Sequence, residues 1–357
     1  VPEKQQKTRF SAQLLSWNST QNKRVMPWKG IKDPYKIWLS EIILQQTRVD
    51  QGLAYYEAFI KRFPRVHDLA KANEGEVYKL WEGLGYYSRC RNLIHTAKVV
   101  SEQYNGQFPE TFEGLISLKG IGAYTASAIG SFAFGLPRAV VDGNVLRVLS
   151  RVFGIAHPID EKEGRKYFDA LAQELIDPKK PAAYNQAIMD FGATICTPKK
   201  PLCPTCPFKK ECVAMNQNKV SFFPVKSPKK KPKDRWFYYL LLQHKEFYLI
   251  GKREQKGIWQ NLYQFILKEH DKEVSDKELK KIKFWGIENQ ALNCTGILVS
   301  DEIKHQLTHQ TIHCKFIKMT IDKKVKMDQY TWIAASTIHN YAFPRLITRY
   351  LESISTE

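Results

Sequence analysis

Four cysteines fall within one proline-broken stretch, CTPKKPLCPTCPFKKEC, as Cys196, Cys203, Cys206 and Cys212. The chain has seven cysteines, and the other three, Cys90, Cys294 and Cys314, are scattered; an odd total with a single tight cluster argues against a disulfide scaffold. Four thiolates so close together point to a metal, and both zinc and a 4Fe-4S cluster take four cysteines. Zinc sites usually pair two Cys-x2-Cys knuckles, whereas the spacing here is Cys-x6-Cys-x2-Cys-x5-Cys, with a single such pair. A larger, cube-shaped cluster suits that spacing better. Pro198, Pro201, Pro204 and Pro207 keep the segment from becoming helix, so that its sulfurs can converge. Its lysines, Lys199, Lys200, Lys209 and Lys210, favour a rigid basic lobe over an electron carrier.

The surrounding chain divides by texture. From Thr8 to about Val213 apolar residues recur at three- and four-residue spacing, which predicts an all-α half. Then PVKSPKKKPKDR, residues 224–235, reads as a stiff, extended basic connector. Beyond it, WFYYLLLQ, EFYLIGKR, TGILVS and HCKFIKMTI read as strands, and AFPRLITRYLESI as a closing helix, so the second half is α/β or α+β. Over 357 residues the formal charge is +19, a surplus that meets polyanions. Nucleic acid is favoured over a membrane surface: no run approaches about twenty apolar residues, and VPEKQQKTRF lacks the core of a secretory signal. An intracellular, cytoplasmic protein is expected.

Three local patterns carry chemistry. In SLKGIGAYTASAIG, Gly120 and Gly122 tolerate positive φ and leave amide groups bare at a helix N-terminus, a turn that can hold a phosphate without reading sequence. In DPYKIWLSEIILQQ, Asp33 and Pro34 start a helix, on which Trp38, Glu41, Ile42 and Gln45 share one stripe. A carboxyl there is poorly solvated, which raises its pKa and makes Glu41 a candidate general acid; the plainer alternative turns it outward to Lys36 or Arg48. In VVDGNVLRVLSR, Asp142 stands where a helix N-cap belongs, and the amide hydrogens and helix dipole favour its anion. One neutral and one anionic carboxyl is the pattern expected around a glycosidic bond.

A helix-hairpin-helix followed by a loop aspartate, beside that cysteine spacing, resembles the endonuclease III superfamily of DNA glycosylases over most of residues 8–213. In its bifunctional branch a lysine follows the glycine turn and forms a Schiff base with the sugar. Tyr124 stands there in this chain, and a phenol cannot form that imine. The chain is therefore similar to the monofunctional adenine DNA glycosylases of the MutY type, which excise adenine mispaired with 8-oxoguanine, or less tightly with guanine, in double-stranded DNA. The resemblance implies that Glu41 protonates N7 of the adenine, that Asp142 stabilises C1′, and that Tyr124 and Asn144 position them. It implies one structural 4Fe-4S cluster on Cys196, Cys203, Cys206 and Cys212, and a monomer. Gln186 matches a residue that contacts the flipped adenine. Gln46, Thr47 and Tyr86 resemble the wedges that face the widowed base, with Tyr87 turned inward and Arg89 and Arg91 as candidate phosphate contacts.

The C-terminal half, with KGIWQNLYQFIL near its start, resembles the Nudix-like domain that reads 8-oxoguanine. A Nudix hydrolase would need the Gly-x5-Glu-x7-Arg-Glu-x2-Glu-Glu helix, which is missing, so recognition without catalysis is expected. The reading turn, usually Phe-Ser-His, is Leu307, Thr308 and His309 here: hydroxyl and imidazole are kept, the aromatic face is lost. The implied layout is an iron–sulfur helical lobe at 6–27 and 136–221, a six-helix barrel with the hairpin at 28–135, the connector at 222–234 and the Nudix-like domain at 235–357. Two alternatives remain: an endonuclease III-like glycosylase with lyase activity, against which Tyr124 and the extra domain speak, and a DNA-binding iron–sulfur redox sensor without turnover.

Overall fold

A computed structural model describes residues 4–228, 231–287 and 293–354; Lys229 and Lys230 of the basic connector lie outside the described residues. The helices of the first half are α1 (Lys4–Thr20), α2 (Pro34–Leu44), α3 (Val49–Arg62), α4 (Val66–Lys71), α5 (Glu74–Leu80), α6 (Tyr87–Gln103), α7 (Phe112–Ser117), α8 (Ala123–Phe134), α9 (Gly143–Phe153), α10 (Lys162–Leu175), α11 (Pro181–Thr194) and the short α12 (Val213–Asn216). The chain groups into two compact units, Val1–Lys71 with His95–Pro228, and Ala72–Ile94 with Lys229–Glu357.

In the first unit, α2 begins where Asp33 accepts from the amides of Tyr35 and Lys36, with Pro34 pre-set in the first turn. It is apolar almost all round, with Tyr35 and Ile37–Ile43 buried, so it must sit inside the helical array. Its neighbour α8 allows this because its buried stretch is built of small residues, Thr125, Ala126, Ser127, Ala128 and Gly130. A second core gathers Phe10, Leu14 and Trp17 of α1, Val148 and Leu149 of α9, and Ile188 and Phe191 of α11. Phe208, from between Cys206 and Cys212, plugs that core: its ring stacks on Phe10 at 4.8 Å and meets Phe191 edge-on at 5.2 Å. The cysteine segment is thereby fastened to α1 and α11 by ordinary apolar burial. The start of the connector is tied down too, Val225 accepting from the amide of Ile159 and Ser227 donating its amide to Asp160.

The second unit is a mixed sheet of β1 (Lys233–His244), β2 (Phe247–Lys252), β3 (Tyr263–Gln264), β4 (Ile266–His270), β5 (Cys294–Val299), β6 (Ile303–Gln306), β7 (Gln310–Ile321) and β8 (Tyr330–Ala334). Its order is β3-β2-β1-β7-β5, with β4 on β1, β6 on β7 and β8 on β2. The long strands β1 and β7 run parallel from Lys233↔Gln310 to Gln243↔Thr320. Strand β1, central in the sheet, is buried on both faces over Phe237–Leu242, which is why that run is unbroken and apolar, while β7 alternates buried and half-buried residues. Helices α13 (Asp276–Leu279), α14 (Ile282–Trp285) and α15 (Arg345–Ile354) complete it, and Phe316 of β7 stacks on Tyr350 of α15 at 3.9 Å. Residues 72–94 are bound into the same unit: Asn261 donates to the Tyr78 hydroxyl at 3.0 Å, Arg91 to the carbonyl of Gln260 at 3.2 Å, and the amide of Phe343 to Glu82 at 3.2 Å. Among the described residues no helix is long and apolar enough to cross a membrane.

Candidate active site

Glu41 lies on the buried face of α2 beside Trp38 and Ile42, and only 8% of it is exposed. Its carboxyl hydrogen-bonds Tyr124 in the first turn of α8. Burial holds the acid in its neutral form and pushes its pKa up to about 7; the Tyr124 hydrogen bond works the other way, and the charge of Asp142 adds to the rise. The outward alternative does not occur, since Lys36 instead faces Asp33. The same burial, with the two carboxyls beside it, raises the Tyr124 phenol well above its ordinary value, so it stays a neutral donor. One turn on, Gln45 donates to Thr125 at 3.2 Å and locks α2 to α8 next to this pair.

The hairpin between α7 and α8 is exposed, but only one of its two glycines needs the left-handed region. Gly120 has φ +84°, whereas Gly122 has φ −88° and serves as the N-cap of α8. Gly122 carries no side chain to cap the helix, so the amides of the first turn are uncapped by a side chain. Helix α2 also stops two residues before the expected Gln46: Leu44 is its last residue, and Gln46 takes φ +56° in an exposed turn with Thr47 donating its amide back to Leu44.

Asp142 caps α9, accepting from the amides of Asn144 and Val145 at 2.8 Å each, while the Asn144 side chain donates to its second oxygen at 2.7 Å. Asn144 is held in turn by Arg147 at 2.8 Å. The Arg147 guanidinium also donates to the carbonyls of Gly192 and Cys196, at 2.8 and 2.7 Å. Helix α11 passes so close that a side-chain carbon at Gly192 would meet Cβ of Asn144 at 2.6 Å. One turn further along α9, Arg151 donates to Thr197 and Pro198 carbonyls and reaches the sulfur of Cys196 at 3.5 Å.

Cys196, Cys203, Cys206 and Cys212 are free thiols and line one small cavity with Arg151. Burial and the neighbouring sulfurs raise Cys206 to about 12, and burial also raises Cys203 and Cys212. Thiols so placed give up their protons only to a cation that replaces them. Four thiols on one small cavity are the donor set that a 4Fe-4S cluster takes.

In the second unit Tyr86 and Tyr87 part as expected: Tyr87 is buried, while Tyr86, at φ +50°, is 47% exposed. The Tyr86 hydroxyl meets that of Thr308 at 2.8 Å. Leu307, Thr308 and His309 form the turn from β6 to β7, closed by the Leu307 amide on Gln310 at 2.8 Å, and with Tyr86, Ile258 and Trp259 they line a cavity of about 500 Å³. The candidate phosphate contacts Arg89 and Arg91 both have partners within the protein. The Arg89 guanidinium is buried 5.3 Å from the Trp81 ring and 5.5 Å from that of Tyr86, donating to the carbonyls of Leu84 and Gly85, and half-buried Arg91 donates to the carbonyl of Gln260. Gln186 faces Asp190, donating at 3.0 Å.

The sequence matches the HhH-GPD superfamily of base excision DNA repair proteins over residues 39–177 and the NUDIX domain over residues 237–353. It is 36% identical over 322 residues to an adenine DNA glycosylase of Buchnera aphidicola subsp. Baizongia pistaciae (strain Bp), covering 88% of this chain and 87% of the relative. The chain belongs to the adenine DNA glycosylase family. To the adenine DNA glycosylase of Mus musculus this glycosylase is 45% identical over 217 residues, 58% of its own length and 42% of the relative's. A thermostable thymine-DNA glycosylase superposes with TM-score 0.55 at 31% identity, over 60% of this chain and 98% of that one. A trapped endonuclease III–DNA covalent intermediate shares the fold, with TM-score 0.53 at 20% identity over 61% and 99%. The enzyme is thus a DNA glycosylase with a helix-hairpin-helix core and a Nudix-like C-terminal unit. Arg147 and Arg151 are the residues of this glycosylase that sequence reasoning passed over, since their partners are mostly backbone carbonyls of a distant segment.

Proposed function

We propose that this glycosylase hydrolyses the bond between the sugar and an adenine that stands opposite 8-oxoguanine or guanine, leaving the strand uncut. The observation that carries the reading is the buried Glu41 carboxyl, kept near pKa 7 against Tyr124 and within the field of Asp142. The adenine leaves the stack, since no side chain reaches its N7 inside the duplex. Glu41 gives its proton to N7, and the C1′–N9 electron pair departs with the now neutral purine. Asp142, its oxygens fixed by Asn144 and the α9 amides, faces the positive charge that develops on the sugar. A water oxygen then bonds to C1′ and its proton returns to Glu41. Tyr124 orients Glu41 and offers no amine to the sugar.

Gly120 and Gly122 would hold a phosphate, and Gln46, Thr47 and Tyr86 would fill the space the base leaves. Leu307, Thr308 and His309 would read the opposite base, a role supported by the cavity they share with Tyr86. Cys196, Cys203, Cys206 and Cys212 would hold a 4Fe-4S cluster, whose contribution is to rigidify their segment. A duplex with one adenine opposite 8-oxoguanine tests the reading: free adenine should appear while the strand stays whole until alkali is added. Cutting before alkali, or equal release from an A·T pair, would contradict it.

A further inference from the structure

Asp190 is fully buried on α11, yet it accepts four hydrogen bonds: from Asn22 at 2.8 Å, Arg24 at 2.9 Å, Lys29 at 3.0 Å and Gln186 at 3.0 Å. A carboxylate between two cations has lone pairs and no hydrogen to give. Gln186, one turn earlier on the same helix, therefore has to present its NH2 to Asp190. Its amide orientation is fixed, and Oε1 points the other way; among the described residues no donor reaches that oxygen. The same stretch of α11 backs the segment that delivers Asp142. Asn185 accepts from the amide of Val140 at 3.0 Å, and Gly192 accepts from Arg147, so Gln186 sits within about one or two helical turns of the Asp142 cap.

We propose that Asp190 is a positioning residue for base selection: by holding the Gln186 amide in one orientation it makes the pocket present an acceptor, which takes the 6-amino N–H of adenine and rejects the 6-oxo group of hypoxanthine or guanine. The inference rests on the reading that Gln186 meets the flipped base. Two acceptors face to face leave both unpaired in a dry pocket, a mismatch that discriminates on the order of tenfold to a hundredfold.

The test compares single-turnover release of adenine and of hypoxanthine, each opposite 8-oxoguanine, as a ratio within each full-length variant. Asp190→Asn offers Gln186 either a donor or an acceptor, so the amide turns freely and the adenine preference should fall roughly tenfold or more. In a Gln186→Met background the same change should add nothing. If Gln186→Met leaves the ratio at the parental value, the base does not meet Gln186, and both the underlying reading and the inference fall. If Gln186→Met lowers the ratio while folded Asp190→Asn keeps it, the contact stands and the role of Asp190 is overturned. Because Asp190→Asn strips two cations of their partner and can unfold the protein, Gln186→Glu serves beside it. A glutamic acid donates its O–H to Asp190 and still shows an outward acceptor, so it should keep the adenine preference; loss of the preference would overturn the inference.

Discussion

Glu41 and Tyr124 make one unit, because the phenol that orients the acid also restrains its pKa. Replacing Tyr124 with Phe removes the interaction that lowers the Glu41 pKa, so the acid should stay protonated to higher pH. Adenine release, which needs the protonated form, is expected to decline as pH rises through about 7 in the parent and at a higher pH in Tyr124→Phe; an unmoved alkaline limb in single-turnover profiles would refute this. Stability follows the same proton. Folding raises the Glu41 pKa from 4.5 to about 7, so its contribution is complete below 4.5 and lost as pH climbs through 7. Glu41→Gln does not titrate, and it should gain on the parent across that window by on the order of 3 kcal/mol in urea unfolding. A pH-independent difference would contradict it. The acid was legible because Trp38, Glu41 and Ile42 share a helical stripe. The burial of Arg89 was not, since a guanidinium beneath two aromatic rings looks in sequence like any flanking charge.

At the scale of the element, α9 does several tasks along one face. Its cap is Asp142, Asn144 follows, and Arg147 and Arg151 reach from its buried side to the cysteine segment. Arg147→Met would leave the carbonyls of Gly192 and Cys196 and the Asn144 oxygen without this donor, at a cost of about 1–3 kcal/mol. It should also slow base release more than it weakens DNA binding, because Asn144 loses the group that fixes it on Asp142; a variant with parental urea midpoint and rate would sink the argument. The cap was readable from Asp-Gly-Asn ahead of a periodic run. The inward course of Arg147 and Arg151 was not, because their partners are carbonyls of a segment some fifty residues away, and backbone acceptors leave no mark in sequence. Likewise the strand texture after the connector was plain, whereas the enclosure of residues 72–94 within the second unit depends on single contacts such as Asn261 to Tyr78.

Taken whole, a chain of charge +19 meets a polyanion, and the chemistry proposed for it runs on two carboxyls. Affinity for an undamaged duplex should therefore drop by roughly a hundredfold between about 50 and 200 mM salt, as four or more neutralised phosphates require; an affinity indifferent to salt would speak against phosphate-led binding. On the proposed reading, protonation of the extruded base by Glu41 is then the chemical step. The most direct measurement is adenine release from a duplex with adenine opposite 8-oxoguanine, comparing the parent with Glu41→Gln while DNA binding is followed in parallel. The account predicts undiminished binding with release slowed by at least about 10²-fold. Release at the parental rate after that substitution would contradict it.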